Sequence, residues 1–166
     1  MKIKRLTALL LAAALLCAAF ALPAAAKDKQ PQQLTWPMAN KASVVTAPYD
    51  DSLRARHHGL DISVPNAGDK NYKVLAAQGG IVLRCGSHPT YGNYVFLYHG
   101  GLITTYMHLK SIDPAIKKGA SVNAAQTLGY MGSTGRATGP YLFFQVYERH
   151  FNVFVPVDPA QYVSKP

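Results

Sequence analysis

From Leu34 onward the apolar residues of this chain come in short alternating runs broken by glycine, and no stretch keeps a helical period for long. Alternation sends successive side chains to opposite faces, so runs of this kind fold as half-buried strands. The abundance of Val, Tyr and Thr points the same way. Val74–Ala77 leads through the turn signal Gln78-Gly79-Gly80 into Ile81–Arg84. Tyr94–His99, Gly100-Gly101 and Leu102–His108 predict a hairpin with a glycine turn. Thr127–Met131 and Tyr141–Glu148 predict further strands, and Asp113–Lys117 one helical turn at most. The chain's 166 residues suffice for one domain with a core and are too few for two comfortable ones. The expectation is one all-β, antiparallel domain over residues 34–163, without internal repeats.

Alternation also assigns faces in the last strand. Leu142, Phe144 and Val146 form the natural core face, while Tyr141, Phe143, Gln145 and Tyr147 form a polar and aromatic groove face.

Residues 1–26 stand outside this pattern. Lys2, Lys4 and Arg5 precede the apolar run Leu6–Leu22, and Ala24-Ala25-Ala26 offers a small-residue cleavage site before Lys27. This reads as a secretory signal peptide, followed by a polar lead-in over residues 27–33. The rival readings are a membrane anchor and a lipoprotein. The run is near the short end for a span, no second apolar segment follows, and Leu16 before Cys17 is a poor lipidation context. The expected address is therefore the periplasm or cell envelope, with no stable span after cleavage. Cleavage removes Cys17 and leaves Cys85 alone, so no internal disulfide can form; Cys85 reads as a small buried strand residue. Without its three basic residues the formal net charge drops from +9 to +6. An exported basic protein suits an anionic envelope polymer or a membrane surface. Nucleic acid is disfavoured, because the basic residues are scattered and the chain is exported.

His57-His58-Gly59-Leu60-Asp61 places a His and an Asp at matching strand parity, with Gly59 allowing close backbone approach. Both could face one metal. Alone this pattern is weak, and exposed polar residues on a strand edge would explain it. A hydrolytic zinc needs three protein ligands and an open position for water. His58 alternates to the other face, His88 and His99 sit in turn contexts, and His150 lies seven residues past Phe143. His108 could swing in as a third ligand.

The wider order of motifs is more specific: Tyr91-Gly92-Asn93-Tyr94-Val95, His99-Gly100-Gly101, Thr105-Tyr106-Met107-His108-Leu109, Leu128-Gly129-Tyr130-Met131-Gly132-Ser133-Thr134-Gly135 and Thr138-Gly139-Pro140. This ordered set resembles the M23 peptidases, the LytM or lysostaphin-like domains of peptidoglycan endopeptidases, from about Trp36 to Tyr162. The resemblance implies a mostly antiparallel, barrel-sandwich-like β fold with a long groove. It implies that His57 and Asp61 correspond to two zinc ligands and His108 to a catalytic histidine. The family's terminal His-x-His-Phe-Glu motif here reads Tyr141-Leu142-Phe143-Phe144-Gln145, so Tyr141 replaces the second catalytic histidine and Phe143 the third ligand. A phenyl ring has no lone pair for a metal, and a phenol is a poor general base at neutral pH. No cofactor is expected beyond weak or vestigial zinc. Tyr141, Phe143, Gln145 and Tyr106 then read either as strand residues covering a former cavity or as a binding groove. The resemblance implies two functions. One is a non-catalytic envelope module that binds peptidoglycan or regulates a peptidoglycan amidase. The other is a zinc endopeptidase of peptidoglycan cross-bridges.

Overall fold

The computed structural model describes residues 32–50, 56–68 and 70–166. The expected signal segment, residues 1–26, and most of the expected lead-in lie outside the described residues. Ten strands follow in chain order: β1 (Val44–Ala47), β2 (Leu60–Ser63), β3 (Lys73–Leu75), β4 (Gly80–His88), β5 (Gly92–Tyr98), β6 (Leu102–Ile112), β7 (Ser121–Val122), β8 (Thr127–Met131), β9 (Leu142–His150) and β10 (Val153–Val157). A 3₁₀ turn, Pro159–Gln161, comes last, capped by Asp158. The strands form one sheet in the order β1-β2-β9-β6-β5-β4-β7; β10 pairs with β9, and β8 pairs with β3 and β6. Among the described residues every pairing between these strands is antiparallel, and an isolated bridge between Leu34 and Val163 is parallel. The fold is the expected all-β, antiparallel one. No helix among the described residues is long and apolar enough to cross a membrane.

The β5–β6 hairpin forms where glycine placed it. Tyr98 pairs with Ile103, and His99 N–H donates to Leu102 O at 2.9 Å. Gly100 takes a φ of 88°, the left-handed region that a two-residue hairpin loop demands of its first position. No helix forms over Asp113–Lys117; Ile116 N–H donates to Asp113 O at 2.9 Å and closes a simple turn.

β9 runs through the middle of the sheet, with β2 on one side and β6 on the other. Its alternation sorts as the sequence indicates: Leu142, Phe144 and Val146 are fully buried, while Tyr141, Phe143, Gln145 and Tyr147 line a groove. The first set packs with Leu60, Ile62, Leu97, Leu109 and Leu128 in a single core. Burying each large side chain of this kind contributes roughly 1.5–3 kcal/mol. Trp36 belongs to the same core, its Nε1–H donating to Ser43 Oγ at 2.8 Å. Cys85 is half-buried on β4, its Sγ 3.6 Å from Ile116 O.

β6 carries an irregularity that decides what faces the groove. Its pairing with β5 steps from Tyr106 opposite Val95 to Leu109 opposite Asn93, three residues against two. The extra residue is accommodated at His108, which adopts a φ of 63° and sends its N–H to Tyr91 O at 2.8 Å. This is a β-bulge, and it breaks the alternation. Tyr106 and His108, two apart, therefore do not share a face. Tyr106 is fully buried in the core and does not line the groove, which corrects the expectation for that residue.

The Tyr106 hydroxyl joins a buried polar chain. Ala77 N–H donates to Tyr106 Oη at 2.8 Å, Thr104 Oγ1 lies 2.9 Å from Tyr106 Oη, and His99 Nε2 lies 2.8 Å from Thr104 Oγ1. His99 Nδ1 donates to Gly79 O at 2.9 Å. Burial pushes the Tyr106 phenol up to about 12 and holds the His99 imidazole below its ordinary value, the Gly79 carbonyl opposing the latter shift. Both groups are thus kept neutral, and their polar atoms are satisfied within the core.

Candidate functional site

Three strands bring the site together on one line across the sheet. Asp61 on β2 pairs with Phe143 on β9, which pairs with Met107 on β6. His57 precedes β2 in an irregular segment, so strand parity does not place it. Gly59 does. A Cβ there would sit 2.7 Å from Phe144 O and 2.9 Å from Phe143 Cε2, so only glycine lets this segment lie flat against β9.

His57 Nδ1 lies 2.7 Å from Pro48 O. A carbonyl only accepts, so Nδ1 carries the proton, and the other ring nitrogen is aimed at Asp61. Nε2 and Asp61 Oδ1 are 3.2 Å apart, with side chains 9% and 4% exposed. A lone pair and a carboxylate oxygen converging at this distance suit a positive charge shared between them, either a proton or a metal ion.

The next corner is aromatic. The Phe143 ring stands edge-on to His57 with centroids 5.2 Å apart, and its centroid is 6.3 Å from that of His108. Tyr141 packs against His108 at 4.9 Å. His108 Nδ1 donates to Thr134 O at 2.8 Å, which leaves Nε2 as the unprotonated nitrogen of the neutral ring. Thr134 is itself fixed: its hydroxyl donates to Leu109 O at 2.7 Å and accepts from Asn93 N–H at 2.9 Å. The β8–β9 loop is thereby tied to both β5 and β6.

Gln145 closes the floor. Its Nε2 donates to His58 O at 3.0 Å, and its Oε1 accepts from Thr105 Oγ1 and Tyr147 Oη, each at 3.2 Å. An amide is the group this position needs, because one end must donate and the other accept.

The remaining histidines are elsewhere. His58 packs on Tyr49, His88 stacks on Tyr91, His99 belongs to the core chain, and His150 faces Glu148 at 3.3 Å. Among the described residues no three His, Cys, Asp or Glu side chains gather as a metal site. Two donors converge here and the adjoining register position holds a phenyl ring, so the described residues do not fit a three-ligand hydrolytic zinc. The groove over this site encloses about 400 Å³ and is also lined by Arg56, Tyr91, Phe96 and Arg136. Sequence reasoning missed Arg56, Thr134 and Arg136, which lie in loops whose readable signal is glycine alone.

Residues 55–159 match Peptidase family M23. The chain belongs to the M23 peptidase family. Among its M23 relatives, the peptidoglycan DD-endopeptidase ShyA of Vibrio cholerae is 38% identical over 96 residues, covering 57% of this chain and 21% of that protein. The lipoprotein YgeR of Escherichia coli is 32% identical over 137 residues, covering 79% of this chain and 49% of that one. The chain thus spans a fifth to a half of these relatives' lengths. A zinc-containing peptidase from Vibrio cholerae superimposes with a TM-score of 0.63 at 29% identity, over 82% of this chain and 41% of that chain. The SpoIIQ–SpoIIIAH pore-forming complex gives a TM-score of 0.68 at 19% identity, over 81% of this chain and 93% of that one, a likeness of fold.

Proposed function

We propose that this M23 domain is an exported cell-envelope module that holds peptidoglycan peptides in its groove without cutting them. One observation carries the reading. Phe143 lies in register with Asp61 and edge-on to His57, in the corner where the M23 pattern has its third zinc-binding histidine. A phenyl ring donates no lone pair, and the loss of even a supporting partner of a metal ligand weakens binding ~10–100-fold. Tyr141 beside His108 supports the same conclusion, since a phenol does not replace an imidazole as general base at neutral pH. The Gln145 network supports it as well, because its hydrogen bonds call for a neutral amide where the family pattern has a carboxylate. Relatives named as peptidoglycan endopeptidases supply the ligand class, and the signal-like residues 1–26 supply the route to it.

Retention of His57, Asp61 and His108 favours the second reading, a zinc endopeptidase. Incubating the purified protein with sacculi and added zinc separates the two. The proposal expects co-sedimentation with the sacculi and no release of soluble muropeptides. Release of muropeptides would establish the endopeptidase. Failure to co-sediment, together with recovery of a peptidoglycan amidase on the immobilised protein, would replace wall binding by amidase regulation.

A further inference from the structure

Two arginines in the groove are used neither by the fold nor by the His57–Asp61 pair. Arg56 sits just ahead of β2 and Arg136 on the β8–β9 loop; both are exposed and both line the cavity. Neither guanidinium has a hydrogen-bond or ion-pair partner among the described residues. Among the described residues the cavity has one acid, Asp61, and it faces His57. The groove therefore presents two uncommitted guanidinium forks against one committed carboxylate. Arg136 is carried on a fixed backbone, its N–H donating to Thr90 O at 3.0 Å within the loop that Thr134 ties down. Aromatic faces line the same cavity, with Tyr91 40% exposed and Phe143 half-buried.

This combination selects a ligand class. A guanidinium is planar, more weakly hydrated than an ammonium, and matches the two oxygens of a carboxylate with parallel hydrogen bonds. Aromatic faces beside it offer contact area to small apolar groups. We propose that the groove is a carboxylate-recognition site, in which Arg56 and Arg136 bind free carboxylates of a peptide whose small side chains lie against Tyr91 and Phe143. This rests on the peptide-holding reading above and names the chemical class of what is held.

The test titrates the purified protein with disaccharide-peptide fragments from muramidase-digested sacculi. A parallel titration uses the same fragments with their carboxyls capped as methylamides. Binding is followed by calorimetry and by the ¹⁵N shifts of the arginine Nε–H groups. The native fragments should bind and shift Arg56 and Arg136, and capping should weaken binding by at least ~10-fold. Arg56→Gln and Arg136→Gln should each cost ~10-fold, with Arg→Lys in between, and binding should weaken as salt rises. Both side chains are exposed, so the variants should melt as the parent does. Equal binding of native and capped fragments, or undiminished affinity in the double Gln variant, would overturn carboxylate recognition and leave the peptide-holding reading intact. Binding of neither fragment would overturn that reading and this one together.

Discussion

Gln145 shows how a single side chain holds the floor of this groove together. Its amide donates to the His58 carbonyl and accepts from two hydroxyls. Gln145→Glu would turn an acceptor toward that carbonyl, and we expect it to lower stability by about 1–3 kcal/mol in urea unfolding. Unchanged stability would mean that the network does not hold the His57–Asp61 segment. Gly59 is a second such residue. Gly59→Ala drives a methyl group into the β9 backbone, and the expected loss is roughly 1–3 kcal/mol on the same assay. Tyr106 differs in kind, since its hydroxyl serves the core. Tyr106→Phe leaves Ala77 N–H buried without its partner and should cost about 1–3 kcal/mol while leaving sacculus binding unchanged.

At the scale of elements, the parts legible in the sequence were those with both alternation and a glycine signal. The β5–β6 hairpin, β8 and β9 fall where the pattern put them, and the two faces of β9 follow its parity. β2 was harder to read because Leu60, Asp61 and Ile62 are all buried, which erases alternation. β7 has only two residues, and β10 carries Pro156, which is tolerated because it pairs with β9 alone. The bulge at His108 had no signature, since a histidine rather than a glycine takes the positive φ. That is why Tyr106 was expected in the groove and is found in the core. The β8–β9 loop depends on Thr134 in a way that glycine spacing could not reveal. Thr134→Val removes two hydrogen bonds that anchor the loop, and amide exchange across residues 132–140 should quicken while the exchange of β9 core amides is preserved. Unaltered exchange in the loop would contradict that anchoring role.

For the whole molecule, the partly buried His99 predicts an acid-sensitive fold. Burial lowers its folded-state pKa beneath the unfolded value of about 6.5. Its contribution is therefore complete above that value and is lost as pH falls toward the folded one, where the unfolded chain binds a proton that the folded chain resists. The stability difference between the parent and His99→Gln should shrink from about pH 7.5 to about pH 5. A difference independent of pH would show that His99 is not kept neutral. The proposed non-catalytic role turns on one corner of one groove, where Phe143 on β9 pairs with Asp61 and stands edge-on to His57. Competitive zinc titration of the parent and of the Tyr141→His, Phe143→His double variant measures this most directly. The parent should lose its zinc to a weak chelator while the double variant retains one ion per chain; a parent that holds one zinc as tightly as the double variant would contradict the account.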